Sequence, residues 1–311
     1  MLGKKQNVKK VQAGRKVTFR QTYQYHLLML PGFLVLFIYT IIPFFGNIMA
    51  FQNFQPILGF FKSRWVGLDN FRHMLMLPDT ARIFRNSFVI AVGKLVFTMV
   101  FSILFAILLN EINHIKFKKT IQTICFLPHF LSWVTVAGML RDILGLDGII
   151  NVFLQKIGME PVFFLGEAGM FRQIAVLSDL WKGFGFGMIV YLAAISNIDQ
   201  NLYEAAEMDG ANKWQQTLHI TLPGIMPMVI VMATLSLGNV LNAGFDQIFN
   251  LYSPLTYSTG DIIDTYVYRQ SLVNGQYSFG TAVGLFKSGI GLLLTVAAYK
   301  IAYRFAGYRI F

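Results

Sequence analysis

Four charged side chains stand inside otherwise apolar runs of this chain: Lys94, Asp179, Lys182 and Lys287. A charge removed from water is costly, and chains keep one for binding, relay or pairing. Asp179 and Lys182 are three residues apart, so on a helix they share a face and can pair with each other. Lys94 and Lys287 can pair across helices or extend their stems toward a polar boundary. Two amides with the same spacing, Asn239 and Asn242, would share a helix face and can hydrogen-bond one polar solute. Trp133, Trp181 and Gln247 suit the same solute by stacking or hydrogen bonding, although aromatic residues also gather at membrane interfaces. The candidates for contact with a bound solute are therefore Asn239 and Asn242 first, then Asp179, Trp181, Lys182 and Lys94. Covalent chemistry finds no support. There is no Gly-x-x-x-x-Gly-Lys-Ser/Thr phosphate loop, so the chain is not expected to hydrolyse nucleotide by itself. Gly183, Gly185 and Gly187 alternate within an apolar run, which suits close helix packing or a bend. His26, His73, His114, His129 and His219 are scattered without ligand spacing. We expect a non-enzymatic chain with no catalytic, cofactor-binding or metal residues.

The elements that must position these residues are membrane spans. Of 311 residues, 55% are hydrophobic and 13% charged, and the mean hydropathy is +0.54. A soluble domain could not hide so much apolar surface. A bilayer core takes about 20 apolar residues per helix, and lone strands cannot satisfy their backbone in lipid. The expected fold is all-α and polytopic, with six spans at Leu27–Phe51, Ser87–Leu109, Ile121–Leu140, Ile174–Ile198, Ile220–Phe245 and Phe279–Tyr303. Residues 1–26 form a basic segment and residues 27–311 the transmembrane domain. The first run is too long for a cleaved signal and is expected to be retained. The single cysteine, Cys125, excludes an intrachain disulfide.

The net charge of +11 is placed for a membrane rather than a nucleic acid. Lys4, Lys5, Lys9, Lys10, Arg15, Lys16 and Arg20 crowd the N-terminus, Lys116, Lys118 and Lys119 fill a short loop, and Lys300, Arg304 and Arg309 mark the C-terminus. With six spans these all fall on one face, which the positive-inside rule makes cytoplasmic, with both termini. Lys62, Arg64, Arg72 and Arg82, in the first external loop, run against that rule.

Between the fourth and fifth runs lies a polar segment, residues 199–223, which reads as two short helices with a break. Asp199 can cap the first, which carries Leu202, Ala205 and Ala206 at helical spacing. Gly210 permits a backbone turn. Asn212 with Gln215 reads as a capping box for a second helix, whose Trp214 and Leu218 share a face. Pro223 and Pro227 then open the next span, where a missing N–H costs little.

The residues Glu204, Ala205, Ala206, Gly210, Ile220, Leu222 and Pro223 match, without a gap, the cytoplasmic coupling motif of binding-protein-dependent ABC importer permeases. Leu237–Pro254, Asp261–Arg269, Tyr277–Lys287 and Asn86–Val96 resemble the complex-carbohydrate subgroup. The resemblance implies the type I permease fold in the cell membrane and the import of an oligosaccharide. It implies as partners a second permease, paralogous in this subgroup, two ATPase subunits, an external solute-binding protein and the lipid bilayer, with no nucleic acid. It implies no directly bound cofactor, with ATP and magnesium on the ATPases, and residues 204–222 seated in an ATPase cleft. A permease for amino acids, peptides or phosphate carries the same motif. A gradient-driven carrier would show inverted repeats and broken helices, and a scaffold would not respond to nucleotide.

Overall fold

The structure, a computed structural model, describes residues 19–306. Lys4, Lys5, Lys9, Lys10, Arg15, Lys16 and Arg309 lie outside the described residues. By chain contacts the protein divides into two units, Met1–Ile48 and Met49–Phe311. In the first, helix α1 (Phe19–Leu36) continues through a π turn at Phe37–Ile41 into Ile42–Phe44.

Among the described residues of the second unit, the regular structure is helical apart from a minimal hairpin that pairs Gln52–Asn53 with Arg64–Trp65. Its helices are α2 (Asp69–Met76), α3 (Pro78–Asn110), α4 (Ile115–Phe126), α5 (Trp133–Leu144), α6 (Ile149–Lys156) and α7 (Ala168–Ser196). They are followed by α8 (Gln200–Met208), α9 (Lys213–Gly238), α10 (Phe245–Leu251), α11 (Ile263–Tyr268) and α12 (Tyr277–Ala306). Among the described residues, five helices are long and apolar enough to cross a membrane, or six if one bent pair counts as a single span. The fold is all-α, as the sequence indicates, but three expected boundaries shift.

The second span begins at Pro78 rather than Ser87. Proline is well placed in a first turn, where its missing N–H has no helical acceptor. At 33 residues, α3 is about 50 Å long and must tilt or protrude from a core of about 30 Å.

The third expected span, Ile121–Leu140, is not straight. Ile115–Phe130 and Trp133–Lys156 meet at 101°. Pro128 lacks a donor, Leu131 is extended, and Ser132 starts α5 by accepting a hydrogen bond from the Thr135 N–H at 3.1 Å. The chemistry that starts and stops helices overrides the apolar run here.

The fifth boundary moves at both ends. The second short helix after Gly210 and the next span are one helix, α9, with a π turn at Thr217–Thr221 just before Pro223. Pro223 cannot donate to the carbonyl four residues back, and the widened turn absorbs that loss without ending the helix. At its far end α9 stops at Gly238, not Phe245, and residues 239–244 form a turn closed by Gly244 at φ +89°.

The helices α3 and α7 form the spine of the unit. Ala106, Leu109, Met188, Tyr191, Leu192 and Ile195 bury against each other and against Ile225 of α9. Gly185 lies where a Cβ would strike the Cys125 carbonyl carbon at 2.5 Å, so α7 and the end of α4 touch backbone to backbone. Gly187 leaves room for Ser102, whose hydroxyl donates to the Phe184 carbonyl at 2.9 Å. Gly183 meets only ordinary contact with Thr98. The alternating glycines thus serve close packing.

Candidate functional site

Helix α8 starts at Asp199, whose carboxylate accepts from the Asn201 N–H at 3.0 Å. It ends in two bonds: the Ala211 N–H donates to the Ala206 carbonyl at 2.9 Å and the Gly210 N–H to the Glu207 carbonyl at 3.0 Å. This paired pattern requires a left-handed residue, and Gly210 supplies it at φ +79°. A Cβ there would meet nothing within 4 Å, so glycine is required by backbone angle rather than by space. Asn212 and Gln215 then cap α9 reciprocally: Asn212 Oδ1 accepts from the Gln215 N–H at 2.9 Å, and Gln215 Oε1 from the Asn212 N–H at 2.8 Å. Buried Gln216 donates to the Ala211 carbonyl at 3.2 Å, and the Tyr203 hydroxyl lies 2.9 Å from Thr221 Oγ1. The break between α8 and α9 is therefore a held corner.

The motif residues divide across this corner. Glu204, Ala205, Gly210 and Pro223 are exposed, while Ala206, Ile220 and Leu222 are half-buried. Leu222 packs on the core formed by α3, α7 and α9. Leu202, Met208, Trp214 and Leu218 are exposed, and a pocket of about 300 Å³ lined by Ala206, Gly210, Gln215 and His219 opens in the angle. Chemically this is an apolar, acid-edged surface with a rigid backbone.

The intramembrane charges resolve into separate arrangements. Lys94 of α3 donates to the Ala243 carbonyl at 2.6 Å and to Gln247 Oε1, and Asp179 Oδ1 lies 3.5 Å from its amine. Gln247 is fully buried and in turn donates to the Ala175 carbonyl at 2.7 Å and to Ser178 Oγ at 2.8 Å. One lysine thus fastens the turn after α9 to both helices of the spine. Asp179 pairs with Lys94, not with Lys182: α7 turns the two side chains apart, and Lys182 donates to the His129 carbonyl at 2.8 Å at the break between α4 and α5. That bond satisfies a carbonyl which the bend has left without a helical partner. Its ammonium also lies 5.5 Å from the Trp133 ring centroid. Lys287 pairs with Asp264 at 2.5 Å.

Lys94, Asp179, Asn239 and Asn242 line one pocket of about 400 Å³, with Ser236 and Gly244. A neighbouring cavity of about 220 Å³ shares Lys94 and Asp179 and adds Thr98, whose buried hydroxyl oxygen has no hydrogen-bond partner among the described residues. Trp181 and Lys182 line neither pocket. Asn239 and Asn242 do meet in one pocket, but not as neighbours on a helix: α9 ends at Gly238, and the Asn242 N–H donates to the Asn239 carbonyl at 2.7 Å within the turn. Ser236, Gly244 and Thr98 are additional lining residues. Gly238, Asn239, Asn242 and Gly244 carried the signal of a helix stop.

Beyond the spans, Asp261 is buried and takes Arg269 Nη2 at 2.5 Å and the Thr265 hydroxyl at 2.8 Å. The Arg269 guanidinium lies 4.5 Å from the Tyr257 ring centroid. Burial works against its charge, but the hydrogen bond and charge of Asp261 outweigh it and hold the guanidinium above its ordinary value. Burial, reinforced by Tyr257, pushes the Tyr252 phenol up to about 12.

Residues 87–306 match the family model described as binding-protein-dependent transport system inner membrane component. The chain belongs to this family. Among curated members, it is 41% identical to protein LplB of Bacillus subtilis (strain 168) over 90% of this chain and 88% of that protein. It is 39% identical to the polygalacturonan/rhamnogalacturonan transport system permease protein YteP of the same organism, over 92% and 89%. Among solved structures, a bacterial ABC transporter involved in the import of the acidic polysaccharide alginate superposes with TM-score 0.86 at 36% identity, covering 92% of this chain and 97% of that one. The same type of transporter in complex with an alginate pentasaccharide-bound periplasmic protein gives TM-score 0.85 at 35% identity, over 92% and 96%. The chain is therefore a multi-pass inner-membrane permease component of a binding-protein-dependent importer.

Proposed function

We propose that this chain forms one half of the membrane pathway of an ATP-driven oligosaccharide importer. A second, paralogous permease supplies the other half, two ATPase subunits drive the pair, and an external solute-binding protein delivers the cargo. ATP and magnesium reside on the ATPases, and the chain itself performs no covalent chemistry. The observation that carries the reading is helix α9, which joins the held corner at Gly210 to the amide-lined turn at Asn239. Its 26 residues make a rod about 39 Å long. Closure of the ATPases on ATP would move the corner, and the rod would carry that motion to the turn that Lys94 fastens. The result is a two-state element biased by nucleotide.

In this reading Glu204 meets a basic group or a backbone N–H of the ATPase, Ala205 and Ala206 permit close approach, and Gly210 sets the angle. Ile220, Leu222 and Pro223 join the corner to the span. Asn239 and Asn242 contact the saccharide, beside Asp179 and Lys94. Saccharide cargo is supported by the names of the relatives above. The corner faces the cytoplasm, as do both termini. Lys116, Lys118 and Lys119 support this orientation, and two contrary cations are offset, Arg82 by Asp79 at 2.8 Å and Arg72 by Asp69 at 3.9 Å.

Glu204→Lys and Gly210→Pro test the docking role. Each is expected to weaken ATPase association or coupling while membrane insertion stays intact. Normal cargo-dependent ATP hydrolysis in both variants would overturn it.

A further inference from the structure

The hairpin at residues 52–65 presents apolar side chains in a way that a water-facing loop does not explain. Ile57 and Phe61 are fully exposed, Trp65 is more than half exposed, and Leu58 and Phe60 are partly so. The loop that carries them is firmly built. Gln52, buried, donates to the Phe60 carbonyl at 2.9 Å, and the Ser63 hydroxyl donates to the Gly59 carbonyl at 2.6 Å and accepts from the Gln55 N–H at 3.1 Å. Gly59 turns at φ +66°. Such a frame prevents the tip from folding its apolar groups inward.

The level of the hairpin is fixed by its neighbours. It follows Phe51 directly, where the first apolar run ends. The Phe54 N–H donates to Ser278 Oγ at 2.8 Å, and the Phe54 ring lies 6.3 Å from that of Tyr277, at the first turn of the last span. The last span thus begins at its base, which places it at the boundary between lipid and water. Its charge is equally specific. Arg72 and Arg82 in the same loop have carboxylate partners, whereas Lys62 and Arg64, on either side of buried Ser63, are exposed and have no ion-pair partner among the described residues. Aromatic and aliphatic groups beside unpaired cations form the composition that seats a segment among phospholipid headgroups.

We infer that the tip of this hairpin is an interfacial anchor, with Ile57, Phe60 and Phe61 inserted at the acyl boundary and Lys62 and Arg64 on anionic headgroups. It lies on the membrane face opposite the corner at Gly210. The inference rests only on the chain crossing a membrane and not on its cargo. It also accounts for the two cations that run against the positive-inside rule without compensation.

The test replaces Phe61 with p-benzoylphenylalanine in the assembled complex, in vesicles of phosphatidylethanolamine and phosphatidylglycerol. After irradiation, mass spectrometry identifies the adducts. Phospholipid adducts should dominate, with phosphatidylglycerol enriched over its share of the vesicle. Removing each cation, as Lys62→Gln and Arg64→Gln, should reduce that enrichment by roughly fivefold. Adducts mainly to a polypeptide, the solute-binding protein included, would overturn the inference and make the tip a protein-docking surface. Absence of lipid adducts would overturn it as well, and so would an enrichment that both substitutions leave unchanged.

Discussion

Lys94→Met removes one amine from three acceptors while keeping most of the side-chain volume. In the structure that amine holds the Ala243 carbonyl at 2.6 Å, Gln247 Oε1 and, at 3.5 Å, Asp179. Breaking a buried pair by deleting one partner costs about 3–5 kcal/mol, because a buried charge is left uncompensated. The Asp179 side chain is 30% exposed, so the lower end applies, about 3 kcal/mol. The loss should be local, since the acceptors lie in or against the turn after α9. At about 1.4 kcal/mol per decade, amide exchange in residues 239–252 should accelerate by about 100-fold or more. Residues 200–216, far along α9, should keep their protection. Hydrogen–deuterium exchange by mass spectrometry, on the complex in lipid nanodiscs, measures both regions together. Asp179→Asn alone leaves two of the three bonds and should cost about 1 kcal/mol. Added to Lys94→Met it removes the stranded carboxylate and should restore part of the protection. Unchanged protection of residues 239–252 in Lys94→Met would refute this reasoning. Lys94 would then act on the solute alone.

The remaining predictions address other joints. Asn239→Ala with Asn242→Ala should reduce uptake in an expressed, assembled complex, and unchanged uptake would remove both from the path. Gly185→Ala should destabilise the packing of α7 on α4 by about 1–3 kcal/mol because its Cβ would meet the Cys125 backbone. Gly183→Ala, with only Thr98 nearby at 3.6 Å, should be tolerated, and thermal unfolding of the two variants in detergent compares them. Arg269→Ala strands the buried Asp261 carboxylate and should cost about 3 kcal/mol. Arg269→Lys should rescue little, since it loses the planar stack on Tyr257 and the two-nitrogen contact, and equal melting of Arg269→Lys and the unaltered protein would contradict this.

Much of this architecture was legible because the physics is local. Apolar length and the exclusion of unpaired backbone from lipid give helices and their approximate places. Asp199, Gly210 and the Asn212–Gln215 box mark the corner by residue type alone, and the structure has the capping bonds those residues imply. What stayed hidden depends on partners distant in sequence. Asp179 three residues before Lys182 suggested an internal pair, yet each answers to a different element: Lys94 on α3, and the His129 carbonyl at the bend. The length of the apolar runs carried expected helices straight through Pro128 and Asn239, where capping and glycine chemistry stops or turns them. The hairpin at 52–65 gave no sequence signal of function, since exposure of Ile57 and Phe61 follows only from how Gln52 and Ser63 brace the loop.

The most direct test of the central claim is ATP hydrolysis by the purified complex in lipid, with its solute-binding protein and a panel of oligosaccharides. The account predicts that particular saccharides, delivered by the binding protein, stimulate hydrolysis above the basal rate. Stimulation by peptides or phosphate instead would contradict the cargo, and failure of the chain to recruit any ATPase would contradict the coupling role of the corner at Gly210.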